Sequence, residues 1–473
     1  MRRLALAAAL AFLPALLVVS CDDSGTVVAV PLPNAPDSFG VERVGQPTKL
    51  YQLLGELDLQ YHPPQPTPLR TETTVGIVGA DLGFSFLHRG RLVFLFGDTI
   101  PTPQASPLPV GNGGDASGNS TPCTGLRPRD ADSLAFLDDP GSAGGGAPVP
   151  LRYPLAPDGF YQPVTLDGVP RCTNEVPQSG FSDGSSMYIF YYLDPLIDHG
   201  RAVLAISSDD SPAFHSLVSL PYPMAFVAPR VVQTADVPGL AALWSDPQSV
   251  LMWGRWRVHP PILAAAPLGR IGDLSSWRYS VLSSDGTLGW GPDIDSAPEV
   301  YTPDATYNCR GPFTVIPVPE MQRWLMIEQC LPPEEGHFPP VYLGQIQVRV
   351  ATNALGPWSP RIVLYDQDAD HGLCHYVHRK CVPAVVDLSD SICTKLEDAG
   401  ANAESLPCCD DDYTPSTYGF GPCDGTSFPY GAFPMEPLST WDASSSTLTL
   451  YSLLSTFNPY TSVVMKEQLG LEN

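Results

Sequence analysis

The chain has 473 residues, of which 53 are Pro and 41 Gly, with 43% hydrophobic residues, 10% aromatic residues and a formal net charge of -25. So many helix breakers exclude a helical bundle, and so large an apolar fraction excludes disorder over most of the length. The charge excludes nucleic-acid backbones and anionic membrane surfaces as electrostatic partners, while neutral glycans, cationic ligands and metal ions stay open.

The N-terminus reads as an address. Arg2 and Arg3 precede an apolar run, Leu4 to Val19, that is short for a bilayer span and right for an export signal. Val18-Val19-Ser20-Cys21 resembles a bacterial lipobox, in which the cysteine is lipidated and becomes the first mature residue. The expectation is a lipoprotein signal peptide over 1–20, lipidation at Cys21, and a place in the cell envelope facing the periplasm or the exterior. Removal of both arginines takes the charge from -25 to -27. Residues 21–70, rich in Pro, Gly and polar residues, read as a tether and N-terminal strap.

From Thr74 onward, short β-rich runs alternate with turns. The strongest are LVFLFGD from Leu92, SMYIFYYL from Ser186, SVLMWG from Ser249, RWLMIEQC from Arg323 and TLTLYSLLS from Thr447. They are too short and too rich in aromatic and β-branched residues for helices. Their spacing of roughly 60 to 90 residues, longer only before the last run where the cysteine-rich stretch intervenes, suits propeller blades with long loops better than a sandwich. Two Gly/Ser/Pro-rich patches between Gln104 and Gly146 flank one further strand, DADSLAF. Residues 71–471 are expected to form one all-β domain.

Cysteine usage agrees with export. Of 11 cysteines, ten remain beyond Cys21, an even number that reads as disulfides outside the cytosol. Cys309 and Cys330 flank one predicted hairpin and are a plausible local bridge. Six others, from Cys374 to Cys423, predict a disulfide-rich insertion over 366–425.

The segment GADLGFSFLHRGRLVFLFGDT, Gly79 to Thr99, is the most informative one. Arg89-Gly90 reads as the two-residue turn of a hairpin, which sets His88 opposite Arg91 and Asp81 opposite Asp98. Opposed residues have Cβ atoms roughly 4.5 to 5.5 Å apart, and like charges there need a shared proton or cation. Two carboxyls whose pKa values are split by proximity suit glycosidic-bond chemistry, where one stays ionised and the other holds a proton. The plainer alternative is that both are turn carboxylates bonding backbone amides.

This segment resembles the opening of the family catalogued as domain of unknown function 4185, a five-bladed propeller group that includes endo-D-arabinanases acting on mycobacterial cell-wall arabinan. Further similar segments follow in the family's order: Asp130 to Phe136, Ser179 to Tyr192, Leu251 to Ser280, Arg310 to Cys330, and Tyr430 to Leu469. The ending Ser455-Thr-Phe-Asn-Pro-Tyr460 resembles the family's Ser-Thr-Trp-Asn-Pro-Tyr, with Phe457 in place of Trp. The resemblance implies a five-bladed β-propeller over about Thr74 to Leu469, here with the disulfide-rich loop insertion, and Asp81 and Asp98 as the catalytic pair.

Other carboxylates, Asp132, Asp183, Glu299 and Glu328, are candidates for the same cleft; Asp183 sits in a turn context and reads as structural. Asp132, Arg310, Glu328, His378 and Tyr430 are taken as candidate substrate contacts. Trp253, Trp256 and Trp290 are of a type that stacks on sugars, but aromatic residues in propellers more often form core. Gly180-Phe-Ser182-Asp-Gly184 matches G-x-S-x-G, yet a strand follows where a nucleophile elbow needs a helix. Asp366 to Gly372 starts like a calcium loop but puts its Gly seventh, so structural calcium is a secondary reading and no cofactor is required. Cys374, His375, His378 and Cys381 have zinc-compatible spacing, but in an oxidising compartment the thiols favour disulfides.

The expected function is hydrolysis of a polysaccharide glycosidic bond, with a furanoside such as arabinan as one candidate substrate, by a monomer with no nucleic-acid partner. Membrane contact is through the lipid on Cys21. Directly opposed carboxyls, about 5 Å apart, imply retention of configuration. The alternatives are a non-catalytic surface propeller that binds glycan or protein, and a purely structural envelope lipoprotein.

Overall fold

Each of the five strongest apolar runs forms the second strand of its own sheet. The structure, a computed structural model, describes residues 28–30, 40–58, 65–105, 132–141, 146–167, 176–193, 201–256, 259–282, 288–302, 307–331, 345–366, 369–370, 429–456 and 460–471. The first sheet runs Ile77–His88, Arg91–Pro101, Ser133–Leu137. The second runs Val176–Ser182, Met187–Tyr192, Ala202–Ser207, Ala213–Ser219, with Thr165–Asp167 parallel at its edge. The third runs Phe226–Gln233, Gln248–Arg255, Ile262–Pro267, Arg278–Leu282, Leu288–Gly291, and Val28–Val30 joins its edge. The fourth runs Asn308–Val318, Arg323–Leu331, Gln345–Ala351, Ile362–Asp366. In the last, Pro429–Pro434, Thr447–Thr456 and Thr461–Leu471 are joined by the early strands Val41–Arg43 and Thr48–Gln52, so both ends of the chain share one sheet.

The second strands are largely apolar because both of their faces are buried. Side chains alternate along a strand, so neighbours in sequence enter different cores. Leu92, Phe94 and Phe96 pack with Tyr451 and Leu453 of the last sheet. Val93 and Leu95 pack with Met187, Ile189 and Val203 of the second. Tyr188 and Phe190 face Val250 and Met252 of the third sheet, whose Leu251 and Trp253 turn towards Val315 and Met326 of the fourth. Leu325 and Ile327 then meet Leu448 and Leu450 of the last sheet. Each side chain of this size contributes roughly 1.5 to 3 kcal/mol on full burial, and the cores pass round the molecule without a break.

The innermost strands touch in sequence and close on themselves: Ile77–His88 against Val176–Ser182, that against Phe226–Gln233, then Asn308–Val318, then Pro429–Pro434, which returns to Ile77–His88. This is a propeller arrangement. Backbone groups on a strand edge that faces no further strand need other partners. Side chains of the neighbouring sheet provide them. Ser455 and Ser462 hydroxyls donate to the Leu82 and Ala80 carbonyls at 3.2 Å each. Gln178 donates to the Ala225 carbonyl at 2.6 Å and accepts from the Val227 amide at 3.2 Å. Arg255 Nε donates to the Gly311 carbonyl at 3.1 Å. Polar residues around the axis therefore have structural duties as well.

Cys309 and Cys330 are register partners and form a disulfide, the bridge read from the sequence. The cysteines from 374 to 423, with the zinc-like cluster and nearly all of the 366–425 insertion, lie outside the described residues, as do Cys21 and the signal segment. Among the described residues no helix is long and apolar enough to cross a membrane.

Candidate functional site

The hairpin that carries Asp81 turns at Arg89-Gly90, both with positive φ (49° and 78°), and pairs His88 with Arg91. That is the primed turn expected of a two-residue connection. Further along, the ladder departs from the simple register. The irregularity at Leu82/Phe84 places Asp81 opposite Gly97, and not opposite Asp98 as the turn alone predicts, and a second one at Gly79/Asp81 follows it. The cause is long-range. A Cβ at Gly83, with φ 94°, would lie 2.5 Å from the Leu453 side chain of the last sheet at the first irregularity, and a Cβ at Gly79 would lie 2.0 Å from the Tyr460 carbonyl oxygen at the second. A Cβ at Gly97 would lie 2.7 Å from Asp81 Oδ1, so the facing position has room only for glycine. With Gly79 paired to Ile100, Asp98 falls in the bulge and takes φ 40°. The direct opposition from which a separation of about 5 Å was inferred is absent.

Asp81 is 8% exposed, on an innermost strand where the last sheet meets the first. Tyr430 Oη, from the innermost strand of the last sheet, donates to its Oδ2 at 2.6 Å. Oδ1 is buried with no hydrogen-bond partner among the described residues. Burial pushes the carboxyl up to about 6, against hydrogen bonds from Tyr430, Tyr460 and its own amide that favour the ionised form. A carboxyl poised there can hold a proton near neutrality and release it, which is the property a general acid requires.

Asp98 is half-buried, and its amide donates to Asp132 Oδ1 at 3.1 Å. Asp132, 2% exposed, also accepts the Tyr191 hydroxyl of the second sheet on Oδ2. Asp132 is thus an acceptor that ties the bulge to the neighbouring sheet. Asp81, Asp98 and Tyr430 belong to one neighbourhood, and Asp132 backs it.

Glu328 stands elsewhere, where the third sheet meets the fourth. It is 1% exposed, with Arg255 Nη1 at 2.6 Å, Tyr301 Oη at 2.7 Å and Arg349 Nε at 3.4 Å. The guanidinium groups lie over the Phe313 and Tyr301 rings, 4.2 and 3.9 Å from the centroids. So enclosed a carboxylate is a structural ion-pair centre. Arg310 occupies the irregular stretch between Cys309 and Phe313 of its strand, and His378 lies outside the described residues.

The remaining candidates resolve simply. Asp183 accepts the Ser185 and Ser186 amides at 2.7 and 2.6 Å and the Tyr188 hydroxyl at 3.0 Å, a turn carboxylate as read from its context. Glu299 is partnered by exposed His259 at 3.3 Å. Trp253 and Trp290 are core, fully buried, and Trp256 packs at 5.5 Å from the Tyr222 ring. Asp370 is held by Arg43 at 2.7 Å and by the Asp366 amide at 2.8 Å. Among the described residues no group of three or more metal-ligating side chains occurs. The sequence marks neither Tyr191 nor Arg255, and it shows Tyr460 only as the end of a motif. Tyr191 has no mark that separates it from Tyr188 and Tyr192, and the pairing of Arg255 with Glu328 joins residues on different sheets.

No family model and no curated protein matches the chain, the family resembled by its motifs included. Among solved structures, the chain is similar to an exo-1,5-alpha-L-arabinanase from a bovine ruminal metagenomic library, at 9% identity, 83% of this chain, 93% of that one and a TM-score of 0.34. It is also similar to an exo-beta-1,3-galactanase from Phanerochaete chrysosporium, at 10% identity over 82% of this chain and 64% of that one, with a TM-score of 0.34. A third is an N-acetylgalactosamine deacetylase from F. plautii, at 9% identity over 91% and 95% of the two chains, with a TM-score of 0.38. Likenesses this distant carry no argument about activity, which has to come from the site.

Proposed function

We propose that this protein is an exported, lipid-anchored, five-bladed propeller that hydrolyses a glycosidic bond of a polysaccharide, with arabinan-type furanosides as the first substrates to test. The closed ring of innermost strands and the apolar core at every sheet junction support the five blades. One observation carries the activity: a buried carboxyl on an innermost strand, Asp81, raised to about 6 and with one oxygen lacking a hydrogen bond among the described residues. In this reading Asp81 holds the proton delivered to the leaving oxygen, and Tyr430 orients it through the 2.6 Å bond to Oδ2. Asp98, set beside Gly97 in the bulge, is the second carboxyl, and the Asp132 side chain fixes its backbone. Which face of the sugar Asp98 serves is a matter for the anomeric configuration of the product.

The test is reducing-sugar release from a panel including arabinan and arabinogalactan, by the chain from Asp22 onward and by its Asp81→Asn and Asp98→Asn variants. Release that is lost in both variants supports the hydrolase. A folded protein that binds glycan and releases nothing supports the second reading, a binding propeller, which the bonded state of Asp132 favours: a carboxylate tied to an amide and a tyrosine serves shape.

A further inference from the structure

At the end of the first hairpin away from Asp81, the imidazole of His88 lies between a hydroxyl and a carboxylate. Nδ1 is 2.7 Å from Ser182 Oγ, and Nε2 is 2.6 Å from Asp210 Oδ1. His88 is 1% exposed, Ser182 is partly exposed, and Asp210 stands in the turn between Ala202–Ser207 and Ala213–Ser219. Ser182 is the serine of the G-x-S-x-G segment, which the glycosidase reading leaves unused.

Local geometry explains both glycines of that segment. A Cβ at Gly180 would lie 2.7 Å from the Phe86 ring, so glycine lets the serine strand press onto the strand that carries His88. Gly184 has φ 89° and open space before it. Its amide donates to Ser182 Oγ at 2.9 Å. The strand-to-helix elbow is one way to present a serine; here a tight turn, pinned by Asp183, does so.

The hydrogen bonds also fix the direction of proton transfer. Burial raises Asp210, but the His88 hydrogen bond and the nearby Arg91 and Arg89 charges outweigh it and hold the carboxyl below its usual range. An ionised carboxylate only accepts, so Nε2 carries the hydrogen. With its hydrogen on Nε2, the ring can offer the Nδ1 lone pair to the Ser182 hydroxyl. These are the roles of a serine–histidine–acid triad with the two ring nitrogens exchanged, and such a triad is defined by roles and geometry.

We propose that Ser182 and His88, positioned by Asp210, form a second catalytic site, a nucleophilic serine for short, activated acyl esters. Ser182 Oγ attacks the ester carbonyl carbon as its proton passes to His88 Nδ1. The C–O bond to the leaving alcohol breaks, and the alcohol takes that proton. Water attacks the resulting acyl-serine, gives one proton to Nδ1, and the carboxylic acid leaves as Ser182 recovers the proton; the sum is ester plus water to acid plus alcohol. The acyl group is short because Ser182 is only partly exposed and Arg89 closes one side with a 2.5 Å bond to the Ser185 carbonyl. The ester is activated because Arg89 and Arg91, at 3.0 and 2.6 Å from Asp210, draw on the carboxylate that would stabilise the imidazolium.

The experiment treats the folded chain from Asp22 onward with a fluorophosphonate probe, maps the adduct by peptide mass spectrometry, and follows p-nitrophenyl acetate turnover. The expected result is one adduct per chain, on the peptide with Ser182, with labelling and turnover absent in Ser182→Ala. Asp210→Asn slows labelling by at least about tenfold, and Asp210→Glu restores part of the rate, at thermal stabilities that show both variants folded. An unlabelled folded wild type, or labelling and turnover unchanged in Ser182→Ala, overturns the proposal.

Discussion

Asp81, on an innermost strand, and Glu328, on a second strand, are both buried carboxyls that accept a tyrosine hydroxyl and keep one oxygen without a hydrogen bond among the described residues, and they differ in the cations around them. Glu328 sits among two guanidinium groups and a tyrosine, at 2.6, 3.4 and 2.7 Å. Asp81 has the hydroxyls of Tyr430 and Tyr460 and its own amide. A carboxyl among cations is a fixed negative charge that holds two sheets together. One among hydroxyls keeps its proton into the range where enzymes use it. The same residue chemistry thus yields a strut at one junction and, in the proposed reading, a proton donor at another.

The comparison can be broken at either end. The largest effect is expected at Glu328: Glu328→Gln leaves Arg255 and Arg349 buried without their counter-charge and lowers stability by about 3 to 5 kcal/mol in urea unfolding. Unchanged stability with lost activity would move the catalytic role to Glu328. Next, Asp81→Asn is expected to cut kcat/KM on the cleaved polysaccharide by roughly 10²- to 10³-fold, with the fold intact by circular dichroism.

A third buried carboxyl sharpens the point. Glu467, in the last sheet, has both oxygens bonded by the Ser452 hydroxyl, at 2.9 and 3.0 Å, and burial raises it to about 7. It lacks Asp81's place on an innermost strand, so a raised pKa alone does not define a site. Its folded value exceeds the unfolded one, so between the two the folded state binds more protons. Stability is therefore fullest below about 4.5 and falls as the pH rises through about 7. Glu467→Gln is expected to remove that loss and add about 3 kcal/mol at pH 8, with little change at pH 4, by urea unfolding at the two pH values. The smallest effect is at Tyr430. Tyr430→Phe removes a bond that favours ionised Asp81, so the acidic group in the pH–rate profile rises by less than about one unit.

Much of the architecture was legible because second strands buried on both faces leave continuous apolar runs, such as Leu92 to Phe96. The innermost strands were fainter. Their edges are completed by neighbours' Ser, Gln and Arg side chains, so VPQSGFS and PYGAFP do not look like core. Asp81 stood out as a carboxyl near a hairpin, but its register did not, because the Leu453 side chain and the Tyr460 carbonyl at the two irregularities come from the far end of the chain. Tyr430, separated from Asp81 by 349 positions, was read as a sugar contact and is the partner of the carboxyl. Ser182 carried a motif in the sequence, while its histidine and aspartate came from two other hairpins.

The central claim is that Asp81 is a protonatable carboxyl near neutrality. The most direct measurement is a ¹³C-carboxyl NMR titration between pH 3 and 8, with the Asp81 resonance assigned by its absence in Asp81→Asn. The account predicts a midpoint near 6. A midpoint near the ordinary 3.8 would contradict it and return Asp81 to the structural carboxylates.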